Sequence, residues 1–261
     1  MSLKPLHNPD DGPLLVAGLM SGSGTNLRRI IEWQLDIEKS EGKSPYRIAV
    51  IFSNDIRSKA PEIGRDFDVP VVIRDMRAWY AKRGAPRTDL ALRRDFDAET
   101  VRALSPFGVK VAVYGGYMAV ATEVLIKAFL GINVHPADLS VLDERGRRRF
   151  TGDHAVLDAI LAGEKTVASS THIIEPEVDG GRLLMISAPV PVEIPPGADM
   201  SDSKTQHDVA DSNQDMLKQG GDWIIFPRTI EYIARGRYAA DERGALYFDG
   251  QPIPYGLKLT K

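Results

Sequence analysis

Asn133 and His135 stand two positions apart in Gly131-Ile-Asn-Val-His-Pro136, and Asp179 follows downstream in Val178-Asp-Gly-Gly181. If Ile132 to His135 is the end of a strand, alternation of side chains puts the amide and the imidazole on one face. Pro136 then closes the strand, because it has no N–H for the ladder and its φ is fixed. A hydrogen-bond donor and a titratable ring thus sit side by side at a strand's carboxyl end. In an open parallel sheet that edge is where ligands bind. Asp179 adds a carboxylate on a turn that Gly180 and Gly181 make tight. Amide, imidazole and carboxylate together suit a reaction that builds negative charge on a carbonyl oxygen while a proton leaves an amine.

The elements that must position these groups are legible upstream. Leu14 to Met20 is an apolar run that opens into Ser21-Gly-Ser-Gly-Thr-Asn26, and Leu27, Ile30, Ile31 and Leu35 then recur at helical spacing. The glycines therefore sit at a strand-to-helix turn, with Thr25 or Asn26 as the expected N-cap. Bare amides at a helix N-terminus bind anions. The loop is neither a P-loop nor a complete G-x-G-x-x-G, so from its residues alone it reads equally as a plain turn. Strands are expected over 47–53, 69–73, 109–114 and 132–134 and helices over 59–67, 88–104 and 122–129, with a charged loop at 76–87. The helix from Thr88 is expected to be capped by Thr88 and to bury Leu90, Leu92, Phe96 and Val101. This alternation predicts an α/β fold, a doubly wound and mostly parallel sheet covered on both faces. After Pro136 the pattern changes to a helix over 152–162, two strands over 167–174 and 182–192, and a polar loop over 193–208. A last helix starts near Val209 or Asp215, with Gly220, Gly221 and Pro227 as candidate breaks. Asp249-Gly250 reads as a hairpin turn.

Composition narrows the class. The chain has 261 residues, 43% hydrophobic and 26% charged, with a net charge of −3, ordinary values for a globular protein that can bury a sizeable core. Nothing in that charge calls for nucleic acid or membrane as partner. The absence of cysteine excludes disulfides and thiolate metal sites and fits a cytoplasmic location. No H-E-x-x-H or clustered ligand pattern is present, so no metal is expected. Met1 to Pro13 reads as a flexible arm without a signal peptide, and 14–261 as a single domain.

Taken in order, Ser21-Gly-Ser-Gly-Thr-Asn26, Phe52-Ser-Asn54, Gly116-Tyr-Met118, Asn133-Val-His-Pro136, His172, Val178-Asp-Gly-Gly181 and Asp249-Gly-Gln-Pro252 resemble the phosphoribosylglycinamide formyltransferase family. The likeness covers roughly 14–257. The Asn-x-His-Pro and Asp-Gly-Gly pair is common to formyl transferases that use 10-formyltetrahydrofolate, and the Ser-Gly-x-Gly-x-Asn loop marks the purine enzyme among them. The resemblance implies a Rossmann-like formyltransferase fold with a C-terminal extension of the same sheet. Residues 14–136 would form the half that binds the nucleotide phosphate, and 137–261 the folate and catalytic half.

It also implies roles. Asn133 would hydrogen-bond the formyl oxygen, His135 would stabilise the oxyanion, and Asp179 would hold His135 protonated and help relay the amine's proton. Gly22, Ser23, Gly24, Thr25, Asn26 and Asp222 would bind the ribonucleotide. Met118, Ala119, Val120, Ala121, Leu139, Leu142 and His172 would line the folate pocket. The partners implied are small molecules, glycinamide ribonucleotide and 10-formyltetrahydrofolate, taken by a monomer or homodimer. Two segments depart from the family's pattern. Ala119 and Ala121 stand where an arginine is usual near the pterin. The segment from Ala137 to Gly152 is several residues longer and carries Arg145 and Arg147 to Arg149. Those arginines read as a solvated loop, or else one of them meets the glutamate tail of a folate. The alternatives to formylation of the ribonucleotide are a different acceptor, hydrolysis of the formyl folate, or a homologue that binds folate without turnover.

Overall fold

The apolar runs of the sequence become the inner strands of one eight-stranded sheet in the computed structural model, which describes residues 2–260. Five strands run parallel: β1 (Leu14–Met20), β2 (Tyr46–Ser53), β3 (Val71–Ile73), β4 (Val111–Tyr114) and β5 (Leu130–His135). Their order across the sheet is β3-β2-β1-β4-β5. Beyond β5 lie β6 (Ser170–Ile173) and β7 (Leu183–Ile186), each antiparallel to its predecessor, and β8 (Leu257–Lys258), parallel to β7. The doubly wound sheet with a C-terminal extension is thus present. The chain builds outward from β1 in one direction and then from β4 in the other, so the crevice at their carboxyl ends is a topological switch point.

Alternation sorts the side chains onto two layers. Val16, Met20, Val111, Val113, Ile132 and Val134 join a core cluster with Leu27, Ile30 and Ile31 of α1 (Thr25–Glu41). Ala17, Leu19, Val50, Phe52, Ala112 and Tyr114 pack with Met76, Trp79 and Phe96 on the opposite face. The helices of the parallel half are α2 (Ala60–Phe67), α3 (Met76–Ala81), α4 (Leu90–Leu104) and α5 (Glu123–Ala128). Those of the second half are α6 (Ala155–Leu161), α7 (Ser203–Leu217) and α8 (Trp223–Ala234).

Several local expectations are corrected. α4 begins at Leu90, where the Asp89 carboxylate accepts from the Leu92 amide at 3.1 Å, so Asp89 and not Thr88 is the cap. Its buried face is Arg93, Phe96, Asp97, Thr100 and Leu104, with Leu90 exposed, because Arg93 and Asp97 find partners in the loop before α5. The Arg93 guanidinium donates to the Val120 carbonyl at 3.2 Å, and Asp97 accepts from the amide and hydroxyl of Thr122, both at 2.8 Å. The charged stretch 76–87 contains α3, capped by Asp75, and the polar stretch 193–208 contains the start of α7, capped by Asp202. α7 passes into α8 through a π-helical turn at Lys218–Asp222, and Pro227 lies inside α8 without ending it. The N-terminal arm is tied down from Lys4 onward. Lys4–Pro5 pairs with Ala239 and Ala240, the Leu6 amide donates to the Tyr238 carbonyl at 2.8 Å, and His7 is buried. Asp249-Gly250 does turn a hairpin, both residues having positive φ.

Phe226 is fully buried where α8 meets the sheet. Phe226→Ala is expected to lower stability by about 3–5 kcal/mol, read as the shift of a urea unfolding curve. A loss under about 1 kcal/mol, the scale of an ordinary surface change, would show that α8 is not seated as described.

Candidate active site

A cavity of about 400 Å³ opens at the switch point and runs from the glycine loop to the Asp-Gly-Gly turn. At one end lie Ser23, Gly24, Thr25 and Asn26. The loop is locked to its neighbour across the crevice: the Ser21 amide donates to the Gly116 carbonyl at 3.0 Å, and the Met118 amide donates to the Ser21 hydroxyl at 2.9 Å. Gly24 is itself the N-cap of α1, left-handed at φ 67° and with no side chain covering the first amides. Thr25 and Asn26 are therefore the first helical residues and not the cap. A Cβ on Gly24 would also stand 2.6 Å from the end of Met20 and 2.7 Å from Ile63. Conformation and space both demand glycine, and the outcome is a run of open amides bordering the cavity. Gly22, by contrast, does not line it; its carbonyl accepts from the Lys59 amide at 3.0 Å.

Gln214, Lys218 and Asp222 reach the cavity from the end of α7 and the π turn. Asp222 is buried, and burial raises its pKa; hydrogen bonds from the Ser169 hydroxyl (2.6 Å) and the Asn26 amide (3.1 Å) pull the other way. Asn26 Oδ1 is left without a partner. Lys218 pairs with Asp215 at 2.8 Å, and among the described residues lining the cavity it is the one lysine or arginine. Sequence reading missed it. Its only signal was a position one turn before Asp222 on the same helix, and that spacing holds only once the polar stretch is recognised as helical.

Asn133 and His135 sit on the same face at the end of β5, as the alternation requires, and His172 stands opposite Asn133 on β6. His172 Nε2 is 3.4 Å from the Asn133 amide nitrogen and 3.6 Å from Asp179 Oδ1, while its Nδ1 bonds the Ile173 carbonyl at 3.0 Å. His172 thus belongs to the cluster and is not a packing residue. His135 is 4% exposed and Asp179 8%. His135 Nδ1 lies 3.4 Å from Asp179 Oδ2, and its Nε2 bonds the Phe150 carbonyl at 3.0 Å. The Gly152 amide donates to Asp179 Oδ2 at 2.8 Å. Asp179 adopts φ 52°, a left-handed conformation uncommon outside glycine, and a Cβ on Gly181 would fall 1.7 Å from the Ile173 carbonyl oxygen. The second glycine is there because the turn lies against the backbone of β6.

The electrostatics amend one expectation. Burial pushes the Asp179 carboxyl up, but the bonds from His172 and Gly152 and the nearby His135 outweigh it, and its pKa falls to about 2. For His135 burial wins over the attraction of Asp179, and the pKa is lowered. Burial thus makes the ring give up its proton more readily than an ordinary imidazole, while both of its nitrogens face acceptors, the Phe150 carbonyl and the Asp179 carboxylate.

Met118, Ala119, Val120 and Ala121 line the middle of the cavity, with Ile174 to Val178 opposite. Met118, Val120 and Val178 are exposed, so the 118–121 side is apolar and open, while Glu175 and Glu177 add carboxylates to the opposite side. Leu139 and Leu142 do not take part. Leu139 is buried in a small core with Ala168, Leu183 and Ile186, and Leu142 faces outward beside Arg145 and Arg149. The longer segment carries them away from the cavity and brings Gly152 and Asp153 to its wall instead.

With this geometry in place, comparison with known proteins gives a consistent result. The family model described as formyl transferase matches residues 14–219. The chain belongs to that family. Phosphoribosylglycinamide formyltransferase of Haemophilus influenzae is 25% identical over 241 residues, covering 92% of this chain and 95% of its own length. The enzyme of the same name from Mycobacterium tuberculosis is 27% identical over 207 residues, 78% of this chain and 81% of its own. Among solved structures, glycinamide ribonucleotide transformylase 1 from Symbiobacterium toebii superposes with a TM-score of 0.65 at 26% identity, covering 90% of this chain and 94% of its own. The family's pairing of a glycine loop with Asn-x-His-Pro and Asp-Gly-Gly is what the crevice brings together here. No described helix is long and apolar enough to cross a membrane.

Because the Asp179 charge raises the His135 pKa, Asp179→Asn is expected to move the His135 ring titration to still lower pH, followed by NMR. A midpoint that stays in place would mean that the two groups are not coupled as their 3.4 Å separation requires.

Proposed function

We propose that the protein transfers the formyl group of 10-formyltetrahydrofolate to the amine of glycinamide ribonucleotide in purine biosynthesis. The observation that carries this reading is one continuous cavity with the open amides of a helix N-terminus at one end and the Asn133, His135 and Asp179 group at the other. A phosphorylated amine needs both ends, and a formyl folate needs the second together with the apolar wall at 118–121. The names borne by the relatives support the same acceptor. We assign the reaction to the cytoplasm, in keeping with a chain that has no cysteine.

In this reading the amides of Gly24, Thr25 and Asn26 take the phosphate, with Lys218 supplying the cation. Attack of the amine nitrogen on the formyl carbon leaves charge on the formyl oxygen, and the Asn133 amide donates to that oxyanion. The amine's proton passes through water to the neutral His135 ring. Asp179, already ionised at any pH above about 2, then pairs with the imidazolium so formed. As the C–N bond to the folate breaks, the imidazolium returns that proton through the same water to the folate nitrogen, which leaves His135 as it began. A lowered His135 pKa is thus useful, since it leaves the ring ready to accept. His172 Nε2 stands within reach of both Asn133 and Asp179 and bonds one of them at a time, accepting from the amide or donating to the carboxylate.

The test is the absorbance change on deformylation of 10-formyltetrahydrofolate, with and without glycinamide ribonucleotide. Turnover that depends on the acceptor and falls about 10²–10³-fold in His135→Ala is expected. Turnover without acceptor would point to hydrolysis, and binding without turnover to a folate-binding homologue. Lys218→Ala is expected to raise KM for the ribonucleotide about tenfold or more, the scale of a lost charged hydrogen bond, and to leave kcat nearly unchanged. An unchanged KM would remove Lys218 from the phosphate site.

A further inference from the structure

The arginines of the long segment after Pro136 read as a solvated loop or as partners of a folate tail, and three of the segment's last five residues touch the catalytic pair. The Phe150 carbonyl accepts from His135, the Gly152 amide donates to Asp179, and Arg148 turns inward. One Arg148 Nη donates to the Asp179 carbonyl and the other to the Gly181 carbonyl, the latter at 2.6 Å. Its sequence neighbours face outward, Arg147 to Asp143 at 2.9 Å and Arg149 to Glu164 at 2.8 Å. The segment is rigid enough to aim a side chain. Leu142 and Arg148 form a bridge, and the Asp143 carboxylate accepts from the amides of Arg145 and Arg147 inside the turn between them.

We propose that Arg148 is a positioning residue for formyl transfer: its guanidinium grips the Asp179 and Gly181 carbonyls and so fixes the Asp179 carboxylate against His135. The argument rests on geometry. Asp179 needs a left-handed backbone to aim its carboxylate, and such conformations persist where surrounding contacts over-determine them. Arg148 supplies two of those contacts from a fork whose planar shape suits two oxygens at once. Lysine carries the same charge and cannot make both bonds in that geometry. The role rests on the reading above only in naming the reaction, since the grip on the turn exists whatever the acceptor.

The ionisable groups acting on the His135 ring are Asp179 from the turn, His172 from β6 and Arg148 from the segment. Removing the Arg148 charge would by itself raise the His135 pKa, whereas loosening Asp179 would lower it. Arg148→Lys separates the two effects, because the charge stays and the fork is lost. The experiment compares wild type, Arg148→Lys, Arg148→Ala and Arg147→Ala. The measurements are kcat and KM with 10-formyltetrahydrofolate and glycinamide ribonucleotide, the His135 titration by NMR, and thermal unfolding to confirm folding. Arg148→Lys is expected to lose about 10- to 100-fold in kcat with little change in either KM, and its His135 midpoint is expected to move down. Arg147→Ala should match wild type. Wild-type kcat and midpoint in Arg148→Lys would overturn the proposal, as would a loss confined to KM. If the wild type fails to formylate the ribonucleotide, the acceptor assignment falls, and the His135 midpoint in Arg148→Lys alone decides the positioning role.

Discussion

An imidazole and a carboxylate held together almost out of water are the constraint on which the rest of this site depends. Each is costly to bury: the charged forms of both prefer solvent, and a lone buried charge is tolerated only with partners. Here the partners come from four separate pieces of chain. The end of β5 supplies His135, β6 supplies His172, the turn supplies Asp179, and the long segment supplies the Phe150 carbonyl and the Gly152 amide. The same need explains the backbone of the turn. Asp179 adopts a left-handed conformation so that its carboxylate points inward, and Gly181 has no Cβ because β6 leaves no room for one. Changing either residue would alter more than a side chain.

That pair is useful because of where the sheet puts it. The strands order themselves outward from β1 and β4, so their carboxyl ends part at a crevice, and β5 sits one strand away. The loop after β1 and the loop after β4 bond each other across this crevice through Ser21, Gly116 and Met118. A helix N-terminus and an apolar wall thereby share one opening. The catalytic group is reached from both sides because β6 reverses direction and brings His172 opposite Asn133.

Much of this was legible in the residues themselves. Apolar β-branched runs announced the parallel strands, and period-two alternation placed Asn133 and His135 on one face without any structure. What resisted reading was set by tertiary partners. Arg93 and Asp97 look like the solvent face of α4, yet they are buried because Val120 and Thr122 satisfy them. Leu90 looks like core and shares the face of those two charges, yet it is exposed because it is the first residue of α4 and the packing starts a turn later. Arg148 is one of three consecutive arginines, and nothing local says which of them turns inward. The polar run before Val209 hides a capped helix because Pro195, Pro196, Gly197 and the neighbouring Ser and Asp residues favour loops, while Asp202 caps the helix that follows. The balance of burial against attraction at His135 was also out of reach, since motif chemistry names the neighbour and says nothing of the desolvation.

The two ends of the cavity differ in the kind of recognition they can give, and this orders the chemistry. Around the glycine loop the features are directional and charged: open amides, Lys218, and an Asn26 oxygen without a partner beside the buried Asp222. Such a surface selects an anion with hydroxyl or amine donors and rejects an apolar ring. Around 118–121 the wall is apolar and open, suited to a flat ring system, and Glu175 and Glu177 face it from the other side. Two reactants of unlike character can therefore enter the same opening without competing for the same wall. Asn133 and His135 lie between the two walls, where β5 ends. An imidazole at that meeting point can carry a proton, and the Asp179 carboxylate beside it offsets the charge. The buried pair, the reversed strand and the two unlike ends of the cavity meet at one point, the end of β5.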